Sequence, residues 1–137
     1  MRYAFLLLAL IATPALGQIE IENAWARATP PGAKMAAGYL TIRNRSSSPE
    51  HLISAASPAA ARVGTHVHIH DGDVMRMRPV KGYDIPASGS LELKPGGAHL
   101  MFVDIKRAFK EGEKIPVTLR FERAGEMKVE FRVGRLN

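Results

Sequence analysis

The sequence predicts an all-β domain, an antiparallel sandwich or barrel of about eight or nine short strands joined by Greek-key connections. Three observations lead there. Past residue 17, apolar and polar residues alternate with period two, the pattern of strands with one face on a core. Clusters of Gly, Pro, Ser and Asn separate the alternating runs. No segment of helix length carries a 3.6-residue period, and only residues 103–111 leave room for a helical turn.

The elements follow in order. Ile19 to Arg27 reads as the first strand, and Pro30-Pro31-Gly32 turns the chain toward the second, Ala37 to Arg43. The loop Asn44 to Pro49 leads to His51 to Ala56. Val63 to His70 and Val74 to Pro79 flank Asp71-Gly72, a strong hairpin signal. Pro86 to Gly89 precedes a short strand, Ser90 to Leu93, and Pro95-Gly96-Gly97 precedes His99 to Ile105. Glu111-Gly112 introduces Ile115 to Glu122, and Ala124-Gly125 introduces Met127 to Val133. No internal repeat or linker divides the chain, so residues 18–137 are expected to form one domain.

Ahead of the strands, Met1 to Gly17 has an early positive charge at Arg2, an apolar run from Ala4 to Ala12 and small residues Ala15 and Gly17 at its end. This is the form of a cleaved secretory signal peptide, too short to span a membrane. A soluble, periplasmic or secreted monomer starting near Gln18 is the expectation, and with no Cys at the cleavage site no acyl anchor is expected. Losing Arg2 takes the net charge from +6 to +5. Export argues against a nucleic-acid partner for this basic surface and favours an acidic protein or anionic lipid.

Composition narrows the chemistry further. A chain of 137 residues, 46% hydrophobic and 23% charged, has room for a single core that folds without staples. It contains no cysteine. Disulfides, thiolate nucleophiles, Cys-based zinc sites, iron–sulfur clusters and blue-copper centres are therefore excluded. No Ser–His pair has a convincing acidic third partner and no Gly-rich nucleotide motif occurs, so an enzyme is not expected.

His and Met remain, and they cluster. Four of the five His and three of the six Met lie between His66 and Met101. On a strand, His66, His68 and His70 share one face and Val67 and Ile69 the other. The following turn brings back Met75 and Met77, also on one face, and His99 and Met101 share a face further on. His66, Met77, His99 and Met101 thus offer two imidazoles and two thioethers. Thioethers favour Cu(I) and are poor ligands for Zn, Mg or Ca, so the donor set selects copper. His68 and His70 read as solvated side chains, with an accessory Cu(II) site there left open; Met75 and Met127 read as core filler, and His51 as a surface residue. Arg76 and Arg78 should lie opposite the Met face, and Leu100 and Phe102 should point inward.

The spacing H-x10-M-x21-H-x-M resembles the signature of the PCuAC family of periplasmic copper chaperones. Asp71-Gly72-Asp73-Val74-Met75-Arg76-Met77-Arg78-Pro79-Val80, Lys94-Pro95-Gly96-Gly97-Ala98-His99-Leu100-Met101 and the early Ala24-Trp25-Ala26-Arg27-Ala28 extend the likeness over essentially the whole chain after the leader. The resemblance implies a cupredoxin-like β fold in which His66, Met77, His99 and Met101 bind Cu(I) at one end of the barrel. It also implies delivery of copper to the CuA centre of cytochrome c oxidase, on subunit II, directly or through a thiol-bearing carrier. Copper buffering or resistance without a recipient, a metal-free β-sandwich interaction module and a copper enzyme are the competing readings. Some relatives carry a His- and Met-rich tail; here the sequence reads Arg135-Leu136-Asn137.

Overall fold

A computed structural model of the chain describes residues 18–135; the expected leader, Met1 to Gly17, lies outside them. Ten strands form: β1 (Ile19–Arg27), β2 (Met35–Asn44), β3 (Glu50–Ala56), β4 (Ala60–Asp71), β5 (Val74–Pro79), β6 (Tyr83–Ile85), β7 (Gly89–Leu93), β8 (His99–Ile105), β9 (Lys114–Phe121) and β10 (Gly125–Gly134). No α-helix occurs among the described residues, and no helix there is long and apolar enough to cross a membrane.

Seven strands close a barrel in the order β4-β8-β2-β1-β10-β9-β3, and the ring is completed where Ala55 of β3 pairs with Val63 of β4. β5, β6 and β7 pair onto β4, β3 and β2 respectively. The all-β barrel matches the expectation, with two differences. Not every pair is antiparallel: β1 and β10 run parallel, with Trp25 opposite Arg132. Closure imposes this pairing between the first and last strands, and local periodicity carries no trace of it. The second difference is β6, which pairs with β3 and at three residues is too short to show as an alternating run.

Inward positions fill the barrel. Leu100 and Phe102 of β8 are fully buried, as expected, and Phe102 meets Phe109 and Phe131 edge-on at 5.3 and 6.1 Å. A Cβ on Gly38 of β2 would sit 2.8 Å from the Phe102 ring, so glycine there lets two aromatic rings approach the strand. Residues 106–111 do not form the helical turn that the sequence allowed. They make a loop whose Phe109 N–H donates to the Thr29 hydroxyl and whose Phe109 carbonyl accepts from Thr29 N–H, seating the Phe109 ring in the core.

β4 reaches beyond the ring. Its first half pairs with β8, and its second half, from His66 to Asp71, pairs with β5 as a projecting hairpin. Gly72 turns that hairpin at φ 62°, a conformation glycine takes without steric cost.

Candidate metal centre

Register decides which side chains meet. Across to β8, His66 pairs with His99 and Gly64 with Met101; across to β5, His68 pairs with Met77 and His70 with Met75. Directly opposed residues project to the same side of a sheet. All seven His and Met side chains therefore stand on the face opposite Leu100 and Phe102, where β4 leaves the barrel and β8 begins.

The barrel end of this group is built around one imidazole. Lys94 to Gly97 form a tight turn, with Gly97 N–H donating to the Lys94 carbonyl at 2.9 Å and Gly96 at φ 82°. That turn sets the Gly97 carbonyl 3.0 Å from His99 Nδ1. A carbonyl only accepts, so Nδ1 carries the proton and the lone pair falls on Nε2. His99 is 2% exposed and its Nε2 is buried without a hydrogen-bond partner. Burial chiefly holds His99 below the usual histidine range, assisted by His68 and opposed by the Gly97 hydrogen bond. The imidazole is thus kept neutral, the form a metal needs.

The neighbouring imidazoles present the same feature. His66 Nδ1 and His68 Nδ1 are also buried and unpartnered. The His66 ring stacks on His99 with centroids 5.8 Å apart, and the His68 ring tilts against it at 4.8 Å. His66 too is held below the usual range, by burial first, then by His99 and Arg62. Three unpaired imidazole nitrogens in one buried patch cost free energy unless an electrophile takes their lone pairs.

Small residues make the room. Met101, 6% exposed, lies between Gly64 of β4 and Ala37 of β2. A Cβ on Gly64 would come within 3.0 Å of His66 Cε1, so the absence of one lets the His66 ring lie over that position, beside Met101. Below the rung, the Tyr83 hydroxyl accepts the His66 N–H at 2.9 Å and lies 2.7 and 2.6 Å from the His66 and His99 carbonyls, so its proton serves one of them at a time. Burial pushes the phenol up to about 12, leaving it a permanent donor. Tyr83 therefore fixes the backbone of both His66 and His99 from the core side.

His66, His99 and Met101 thus surround Gly64, whereas Met77, 47% exposed, stands one rung out and opposite His68. Two expectations need correcting. His68 is packed on His99 rather than solvated, because the sheet brings the two rings to the same side. Met75 is 51% exposed and is not core filler, because the hairpin carrying it projects from the barrel. His51 lies at the surface of β3, as expected, and there also clamps β3 to β6, with Nδ1 2.7 Å from Asp84 Oδ1 and Nε2 3.0 Å from the Lys81 carbonyl. Among the described residues no three His, Asp or Glu side chains form a ready-made metal cluster, and Met101 and Met77 add thioether donors beside the imidazoles. Sequence reasoning misses Gly64, Ala37 and Tyr83. Gly64 alone leaves a signal, a glycine two positions before His66 within an alternating run.

Known proteins share this architecture. The profile of the LpqE-like family, described as "Putative lipoprotein LpqE-like", matches residues 19–133. A curated relative, "Putative lipoprotein Lxx21020" of Leifsonia xyli subsp. xyli, is 34% identical over 104 residues, 75% of this chain; the match spans 61% of that relative's length. Among solved structures, the copper-bound PCuAC domain from PmoF2 superposes with a TM-score of 0.74 at 29% identity, covering 88% of this chain and 96% of that one. The Cu(I) form of DR1885 from Deinococcus radiodurans gives a TM-score of 0.67 at 32% identity over 83% of this chain and 76% of that one.

Proposed function

We propose that this chain, which belongs to the LpqE-like family of PCuAC-type domains, is an exported copper chaperone that carries Cu(I) on His66, Met77, His99 and Met101. The observation that carries the reading is His99: a buried, neutral imidazole whose Nδ1 is tied to Gly97 and whose free Nε2 belongs to the side of the sheet that holds Met101. A copper-bound PCuAC domain of the same fold supports it.

The donor chemistry fits a carrier. Imidazole and thioether are neutral and soft enough for a monovalent ion, and at neutral pH none of them must lose a proton to bind it or gain one to release it. His99 and Met101 supply the fixed, buried side, and His66 leans over Gly64 toward them. Met77 approaches from the exposed hairpin, so a recipient can displace it first and reach the ion from solvent. Transfer is ligand exchange without redox change.

Residues 1–17 are then a cleaved signal peptide and residues 18–137 the copper-binding domain, working in the periplasm as a monomer. Its recipient is the CuA centre of cytochrome c oxidase, reached directly or through a thiol-bearing carrier. The test is competition of purified protein against a Cu(I) chelator, with wild type beside a Met77→Ala, Met101→Ala double variant. One-to-one binding that the double variant loses is expected; equal binding by both proteins overturns the ligand assignment. In cells, deletion should lower oxidase activity, with rescue by added copper. Copper sensitivity with normal oxidase would point to buffering instead.

A further inference from the structure

The hairpin holds more soft donors than one copper ion needs. His70 faces Met75 and His68 faces Met77 as direct cross-strand pairs on the same side of the sheet as His99 and Met101. Cβ atoms of such pairs lie about 4.5–5.5 Å apart, which lets an imidazole nitrogen and a thioether sulfur converge on one ion. Successive rungs are about 7 Å apart along the strand. Exposure rises outward: His99 and Met101 are buried, Met77 is 47% exposed, and Met75 is 51% exposed beside the exposed His70.

Packing does not account for these side chains. The other face of the hairpin carries the half-buried Val67 and Ile69, with Val67 packed on the core, whereas Met75 and Met77 leave about half their surface in water. On the middle rung, His68 adjoins the inner end: its ring lies against His99, its Nδ1 has no hydrogen-bond partner, and its strand partner is Met77, one rung in from the His70–Met75 pair.

We propose that the β4–β5 hairpin carries a second, outer site for a soft monovalent metal ion at His70 and Met75, from which His68 and Met77 pass the ion to the buried end at His99 and Met101. The inference rests on the copper reading above. Each step exchanges one neutral donor for the next, so the ion keeps its charge and oxidation state throughout. The outer rung, with two donors and open to water, binds more weakly than the inner set.

Ag(I), a redox-inert ion of the same charge and softness, tests this on the full chain with isotope-labelled methionine methyl groups followed by NMR. The first equivalent should move the Met101 and Met77 signals, and a second, weaker equivalent the Met75 signal. A His70→Ala, Met75→Leu variant, altered only at exposed positions, should keep the first equivalent, lose the second and take up Cu(I) from a chelator more slowly than wild type. Response of Met101 and Met77 with Met75 silent through two equivalents overturns the outer site alone. Silence of Met101 and Met77 at every ratio overturns the inner site and the transfer route with it.

Discussion

The two halves of the proposed copper site are held in opposite ways. His99 and Met101 sit on a barrel strand with paired neighbours on both sides, and a turn, a carbonyl and a tyrosine fix them before any ligand arrives. Met77 and Met75 ride a two-stranded hairpin whose outer strand is paired on one edge only. Isolated hairpins are marginal, so this half moves more readily than the barrel. The contrast teaches that preorganisation and access, which compete within one rigid pocket, can be separated by giving each to a different part of the sheet.

If the barrel half holds the ion and the hairpin half admits it, substitutions should divide accordingly. His99→Ala should weaken Cu(I) binding by about a thousandfold, or about 4 kcal/mol, and Met77→Leu by only about tenfold. Chelator competition measures both, and equal losses would erase the distinction. Next, Tyr83→Phe strips the His66 N–H and the His99 carbonyl of their shared hydroxyl, costing about 1–3 kcal/mol of stability. Denaturant unfolding should register the loss, with faster amide exchange in β4 than in β9.

The smallest effect is a trend with pH in the metal-free protein. His99 and His66 are held below the usual histidine value, so below about pH 6.5 the unfolded chain takes up protons that the folded one refuses. Their contribution is complete above that pH and declines as the solution becomes more acidic. His51, raised by its bond to Asp84, acts the other way: its contribution is present in acid and lost as pH climbs through its elevated value. Thermal unfolding over about pH 5 to 8 should therefore lose acid sensitivity in His99→Gln and gain it in His51→Gln. Parallel curves for the two variants would contradict the assignment.

Much of this is legible in the sequence, for a physical reason. A strand writes its two faces into alternate residues, so His66-x-His68-x-His70, Met75-x-Met77 and His99-x-Met101 each announce a shared side through spacing alone. What alternation cannot say is which strands lie together. The hairpin at Gly72 sets Met77 against His68 locally, but that β4 also pairs with β8, placing His66 against His99, depends on barrel closure, as does the parallel pairing of β1 with β10. Tyr83 is invisible because a single tyrosine in a three-residue strand carries no period, and its role lies in the gap between two other strands. Gly64 is visible as a residue but not as space, since only the His66 ring above it gives the missing Cβ a meaning.

The side-by-side placement of the first and last strands has a consequence for biosynthesis. β1 has β2 and β10 as its neighbours, and β10 joins β1 to β9, so the wall is complete only after residue 134 has left the ribosome. Contacts of such long sequence separation form slowly. A nascent polypeptide of this design therefore keeps its barrel open, and its inward-facing residues unsealed, until synthesis is almost finished.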